Sequence, residues 1–151
     1  MKNGITLTDY TVIGITMVDS NQVGHDLTGF ELQFRAFNGA TQITGENPLN
    51  FLPLSEIEVE ASDNGIGTAP GVIIFNDGLG GPQELDQVFK NCVEYTEAAA
   101  LGAPVFNSLD AASHQINISY RCGDGGSLLG MPADYYSVEI EFQLIPTGPG
   151  F

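Results

Sequence analysis

The chain has 151 residues, with 19 acidic residues against four basic ones, Lys2, Arg35, Lys90 and Arg121, for a formal net charge of -15. That length suits one domain around one core, and the charge excludes the phosphate-neutralising surface that nucleic acid requires and disfavours an anionic membrane. No run nears the roughly 20 apolar residues of a membrane-spanning helix, and the acidity fits the solubility and mutual repulsion of a secreted or surface protein.

The opening "MKNGITLTDY" carries one lysine with no apolar segment behind it, so no secretory signal is visible; we expect a natural signal to have been removed ahead of Met1, a protein that stays inside the cell being the alternative. Gly (19 residues) and Pro (8 residues) then punctuate the chain, separating short apolar alternations in the manner of an all-β protein. The first, "GITLTDYTVIGITMV" at 4–18, is rich in Ile, Thr, Val and Tyr and reads as a long strand with Gly14 at a bend. After the break "SNQVGHD" comes "FELQFRAF" at 30–37, a core strand with Phe30, Leu32, Phe34 and Ala36 on one face. "NGATQITGENPLN" reads as a turn-rich excursion in which Asn38-Gly39 is the strongest turn signal.

"LSEIEVEAS" at 54–62 resumes the alternation, turning Ile57 and Val59 inward and Glu56, Glu58 and Glu60 to solvent. "SDNGIGTAPG" reads as a loop, and "VIIFN" at 72–76 as a short strand covered on both faces. The middle, "GPQELDQVFKNCVEYTEAAALGAPVF", places Leu85, Val88, Phe89 and Cys92 at helical spacing after Pro82. We expect at most one short helix there, two short strands being the alternative. "QINISYRC" at 115–122 sets Ile116, Ile118, Tyr120 and Cys122 on one face. The closing strand sets Tyr136, Val138, Ile140, Phe142 and Leu144 against Ser137, Glu139, Glu141 and Gln143. The sum is one domain, an antiparallel β-sandwich of about seven or eight strands. Its expected core is Phe30, Leu32, Phe34, Ile57, Val59, Ile73, Ile116, Ile118, Val138, Ile140 and Phe142.

Chemistry is harder to find. His25 and His114 lie in or beside polar loops without an HExxH pattern, and no serine sits in GxSxG. "GLGGP" and "CGDGG" follow neither nucleotide-binding pattern and read as turns. With Trp absent, a sugar platform would fall to Tyr10, Tyr95, Tyr135 or Tyr136. The carboxylates Asp63 in "SDNG" and Asp77 in "FNDGLGG" are weak calcium candidates, since hard cations choose such oxygens, but Asx-Gly turns explain the same residues and no other cofactor is indicated. Asn117-Ile118-Ser119 is a glycosylation sequon inside an expected strand. The only two cysteines, Cys92 and Cys122, fit no metal spacing. In a chain that reads as secreted we expect them to be bonded to each other, two buried free thiols being the alternative. No catalytic constellation emerges, so the expectation is a non-enzyme.

The stretch "HQINISYRCGDGGSLLGMPADYYSVEIEFQL" resembles the closing hairpin of secreted bacterial β-sandwich proteins, among them fimbrial and spore-coat-U-like pilus subunits. "LTGFELQFRAFNGAT" and "LPLSEIEVEAS" are similar to the early strands of Bacteroidetes-type surface domains. The pattern departs from pilins in its cysteines, which lie nearer the N-terminus in those subunits. The resemblance implies an immunoglobulin-like or pilin-like extracellular subunit at the cell surface, a homopolymer of a pilus, filament or coat joined by donated strands. The donor would be the N-terminal strand, through Ile5, Leu7, Tyr10, Val12, Ile13 and Ile15, with "DSNQVGHD" as its hinge. The alternatives are an ordinary first strand in its own sandwich and, for function, a monomeric adhesion or ligand-binding module of a surface protein or phage appendage.

Overall fold

β-branched and aromatic residues concentrated between glycine and proline breaks favour extended backbone, whose N–H and C=O groups must then be paired between strands. The structure, a computed structural model, describes residues 4–17, 29–67, 71–97, 112–123 and 128–148. Among these the strands in chain order are β1 (Ile5–Met17), β2 (Gly29–Ala36), β3 (Gln42–Gly45), β4 (Phe51–Pro53), β5 (Ile57–Gly67) and β6 (Gly71–Phe75). They continue as β7 (Gln83–Glu84), β8 (Lys90–Glu97), β9 (Ala112–Cys122), β10 (Tyr136–Ser137) and β11 (Ile140–Thr147). Single 3-10 turns occupy Phe37–Gly39, Leu54–Glu56 and Asn76–Gly78.

Two four-stranded sheets, in the orders β1-β9-β5-β7 and β11-β2-β8-β6, form an antiparallel sandwich, and β10-β3-β4 makes a small third sheet. The two layers meet through apolar side chains. His114 on β9 packs its ring 4.5 Å from that of Tyr95 on β8 and 5.9 Å from that of Phe30 on β2. Phe30, Leu32, Phe34 and Ala36 of β2 are buried, as are Val93 and Tyr95 of β8, Val59 and Ala61 of β5, and Ile116 and Ile118 of β9. Six of the eleven expected core residues are therefore buried, and Ile57, Ile73, Val138, Ile140 and Phe142 pack half-buried against them. Asn76, just past β6, bonds the backbone of Ala61 on β5 with both ends of its amide. This holds the β6 flank of one sheet to the β5 side of the other and leaves β1 and β11 at the opposite flank.

Several expectations change. The 82–97 segment takes the alternative of two strands, β7 and β8, with no helix and with Val88 exposed rather than sharing a face with buried Leu85. A bulge explains the misleading spacing. Leu32 pairs with Val93 and Gln33 with Asn91, so Cys92 is the extra residue, and both Cys92 and Val93 turn inward. The excursion after Asn38 contains β3 with Ile43 buried, although the Asn38-Gly39 turn forms as expected, with φ of 53° and 66°. The supposed loop from Ser62 is in part the continuation of β5 to Gly67.

The closing segment is two strands in different sheets, β10 against β3 and β11 against β2. The chain changes partner at Glu139, whose carbonyl accepts the Phe37 N–H at 2.9 Å. Leu144, on the apolar face of the expected closing strand, is exposed, and β11 is an edge strand. "VIIFN" is not covered on both faces either: β6 is also an edge, and Val72 and Ile74 face solvent. The "DSNQVGHD" hinge and His25 lie outside the described residues.

Candidate functional site

Of the features singled out in the sequence, β1 gathers the most apolar surface. Its partner is β9 of its own chain, antiparallel from Ile5↔Cys122 to Met17↔Ala112, and it forms one edge of the sheet. Gly4 starts it at φ 52°, where a Cβ would strike the carbonyls of Cys122 and Gly123, so only glycine lets the backbone approach this closely. A bulge then divides the strand. Leu7 pairs with Tyr120 and Thr11 with Ile118, so three residues of β1 oppose Ser119 alone. Asp9 takes up the slack at φ 48°, and its N–H donates to Ser119 Oγ at 2.9 Å. Thr11 Oγ1 and Tyr120 Oη share a hydrogen bond of 3.1 Å, and the Tyr10 and Tyr120 rings meet edge to face at 6.2 Å.

The two halves differ in energetic weight. Ile15 is buried and Ile13 packs half-buried against the core, whereas Ile5 and Leu7 remain exposed although they share the inner face with Cys122 and Tyr120. Tyr10 and Val12 are exposed as well, at 70% and 54%. All six expected donor residues thus lie on one strand of their own sandwich. Burial holds that strand from Ile13 onward, and main-chain pairing dominates before it.

The cysteines depart from expectation. Cys92 and Cys122 are free thiols, not a disulfide: Cys92 is the buried bulge residue of β8 in one sheet, and Cys122 ends β9 in the other. Burial pushes the Cys92 thiol up to about 12, and burial together with the Glu56 charge raises Cys122, so neither offers the thiolate a nucleophile needs.

Of the calcium candidates Asp63 and Asp77, the first lies within β5, paired with Ile116 of β9, and the second occupies the turn after β6 at φ 54°. Among the described residues no three His, Cys, Asp or Glu side chains are placed to hold a metal ion. An open groove of about 610 Å³ beside that turn is lined by Asp77, Leu79, Gln83, Glu84, Phe89 and Lys90, among others. Its polar groups are engaged structurally. Lys90 Nζ donates to the Glu84 carbonyl, Gln83 Nε2 donates to the Asn91 carbonyl, and Arg35 stacks over Phe89 at 4.2 Å. On the acidic face of β5, Glu60 binds Arg121 at 2.8 Å.

His114 carries a pH consequence near neutrality. Its Nε2 is buried without a hydrogen-bond partner beside Phe30 and Tyr95, and burial lowers its pKa from the ordinary 6.5 against a smaller opposing pull from Asp63. The unfolded chain therefore binds this proton first. The stabilisation held by neutral His114 is complete above about pH 6.5 and is lost as pH falls through the lowered folded value. Urea melts between about pH 7.5 and 5.5, above the carboxylate range, should show stability falling with pH in the native chain and a flatter profile in His114→Gln. Parallel profiles in the two proteins would remove His114 as the cause.

Sequence reasoning missed one residue and one surface that matter here. Asn76 closes the strand expected at 72–76, and nothing local reveals that its amide serves as a pairing partner for β5; the exposure of β6 is equally invisible. Comparison with known proteins finds no matching family model, no matching curated protein and no matching solved structure.

Proposed function

We propose that the protein is an extracellular structural subunit of a surface filament, pilus or coat, joined to its neighbours by exchange of β1. The observation that carries this reading is the divided N-terminal strand: among the described residues it has one pairing partner and an edge position, with an apolar first half left exposed. The β1–β9 pairing within one chain re-forms unchanged between two chains when β1 docks on a neighbour's β9, the logic of strand donation and domain swapping. Around ten main-chain hydrogen bonds at ~1 kcal/mol net each support such a joint. The charge of -15 opposes unspecific contact, leaving directional strand pairing as the route to association.

Deleting residues 1–17 should leave a chain that does not polymerise. A peptide spanning 4–17 should bind it and raise its melting temperature, while the full-length protein forms concentration-dependent oligomers seen by light scattering and electron microscopy. A full-length protein that stays monomeric at millimolar concentration, with a truncated form the peptide does not rescue, overturns strand exchange. A second reading, a monomeric ligand-binding module of a surface protein or phage appendage, draws on a groove of about 340 Å³. It is lined by Phe37, Gln42, Thr44, Ser137, Val138 and Glu139, an apolar wall set beside hydrogen-bonding side chains. The monomeric outcome of the same experiment would favour it.

A further inference from the structure

A sheet with one dry face normally turns polar side chains outward, and aromatic residues gathered on the solvent side mark a binding surface. The small sheet β10-β3-β4 buries Ile43 and Leu52, and its Tyr136 packs against the core, so its other face meets solvent. Direct pairing sets Ser137, Thr44 and Phe51 in one row across that outer face, with Gln42 beside Pro53 in the next. Phe51 is 57% exposed there. Tyr135, 81% exposed, extends the face: its carbonyl accepts the Glu46 N–H at 3.0 Å, and it lies two residues before Ser137. The groove of about 340 Å³ opens on this same face, sharing Gln42, Thr44 and Ser137, and Phe37 forms part of its wall. Three of the four exposed aromatic residues among those described, Phe37, Phe51 and Tyr135, thus gather around one small sheet, Tyr10 being the fourth.

We propose that this face binds a neutral oligosaccharide, laid across β10, β3 and β4 with its sugar rings against Phe37, Phe51 and Tyr135. The ligand class follows from the mixture of side chains. The face of an aromatic ring is negative and takes the positively polarised C–H face of a sugar ring, while the sugar hydroxyls need the donors and acceptors that Gln42, Thr44 and Ser137 offer. Among the described residues no hydrogen bond engages those three side chains, unlike Gln33, Asn91 and Gln143 on the outer face of β2, β8 and β11, which bond one another. Glu139 lines the groove and Glu46 stands opposite Tyr135, so with a net charge of -15 the face turns away phosphates and acidic sugars. A peptide added as a further strand finds little edge here, because β10 has two residues and β4 has three, one of them Pro53. The face is also held in place. Asp134 accepts from the Tyr135 N–H at 2.8 Å, the Asn47 N–H at 3.1 Å and Asn50 Nδ2 at 3.0 Å, and the Phe37 N–H donates to the Glu139 carbonyl at 2.9 Å. Phe51 and Ser137 lie on either side of β3, about 10 Å apart at the spacing of neighbouring strands, which exceeds one sugar ring. Saccharide binding here rests on the ligand-module reading of the groove and is independent of β1 exchange.

The test uses the full chain and a panel of soluble neutral polysaccharides, a β-glucan, an α-glucan, a mannan and a galactan, with a polyuronate as the anionic control. Retardation in native affinity gels and amide shifts in heteronuclear NMR are the readouts. At least one neutral glycan should slow the protein and shift the amides of Thr44, Phe51 and Ser137, and the polyuronate should do neither. Phe51→Ala and Phe37→Ala should each weaken that binding about tenfold, the scale of truncating an aromatic contact residue. Tyr10→Ala, at the exposed aromatic on β1, should leave it unchanged. All three side chains are exposed, so unaltered melting temperatures are expected and would show that the variants fold. Binding of no neutral glycan, equal binding of the polyuronate, or binding that survives both phenylalanine substitutions would each overturn the saccharide site. Benzyl alcohol, a small neutral aromatic probe, separates the ligand class from the groove itself. Shifts at Phe37 and Val138 with benzyl alcohol but with no glycan would overturn the saccharide and leave the groove a site for another class. No shift with either would remove both readings.

Discussion

Replacing Phe34 with alanine is expected to cost about 3–5 kcal/mol of stability in urea melts, the usual range for a fully buried aromatic. Phe34 is completely buried on β2, the strand that bridges β11 and β8, with its ring centroid 6.4 Å from that of Phe142. β2 is paired on both sides and Phe34 is enclosed, so truncation leaves most of its volume as a cavity. Phe142→Ala should cost distinctly less. Phe142 lies on the edge strand β11 and is half-buried, so less apolar area is lost and water can enter the space. The contrast between the two variants tests the architecture more sharply than either alone. Equal losses would place β11 inside the sheet, and a loss below ~1 kcal/mol for Phe34→Ala would overturn the register of β2.

How far the sequence carries depends on whether a residue's surroundings repeat the pattern of its own strand. β2 and β9 are legible because each is flanked by strands on both sides and packs one face on the core, so Phe30, Leu32, Phe34, Ile116 and Ile118 keep the period of two. The segment containing Cys92 misled because a bulge adds one residue to the period of two, and the resulting Val88, Phe89 and Cys92 spacing imitates a helical turn. β3 was hidden for a different reason. Gly45 sits where a Cβ would collide with the Asp134 side chain, so the glycine that reads as a loop marks close packing between segments far apart in sequence. The same carboxylate accepts from the Asn47 N–H and Asn50 Nδ2, which ties the β3–β4 turn to the approach of β10. The alternation from Tyr136 to Leu144 is real, but it cannot show that the chain changes sheets at Glu139. Edge positions escape local reading altogether. The runs that form β1 and β6 look like core strands, and only the sheet order reveals which side of each is open.

Asn76→Ala should rival Phe34→Ala, with a loss of about 3–6 kcal/mol, because three costs fall on one small side chain. Beyond the residues where β7 pairs with β5, the backbone of Ala61 is completed by a side chain: its N–H donates to Asn76 Oδ1 at 2.8 Å, and its carbonyl accepts from Asn76 Nδ2 at 3.0 Å. Both residues are buried, so alanine would strand a donor and an acceptor where water does not replace the amide, at about 1–3 kcal/mol each. Asn76 also has φ 54°, followed by Asp77 at 54° and Gly78 at 74°, a left-handed run that asparagine tolerates and alanine resists by about 1 kcal/mol. Asn76→Gly separates these contributions, since it relieves the backbone while losing both hydrogen bonds. It should recover only the strain. Asn76→Asp retains the acceptor for the Ala61 N–H but sets a carboxylate oxygen against the Ala61 carbonyl, so it should also be severely destabilised and should regain stability as acid protonates it. If Asn76→Gly proves as stable as the native chain, the residue serves the turn alone, and the clasp between the two sheets at the β6 flank must lie elsewhere.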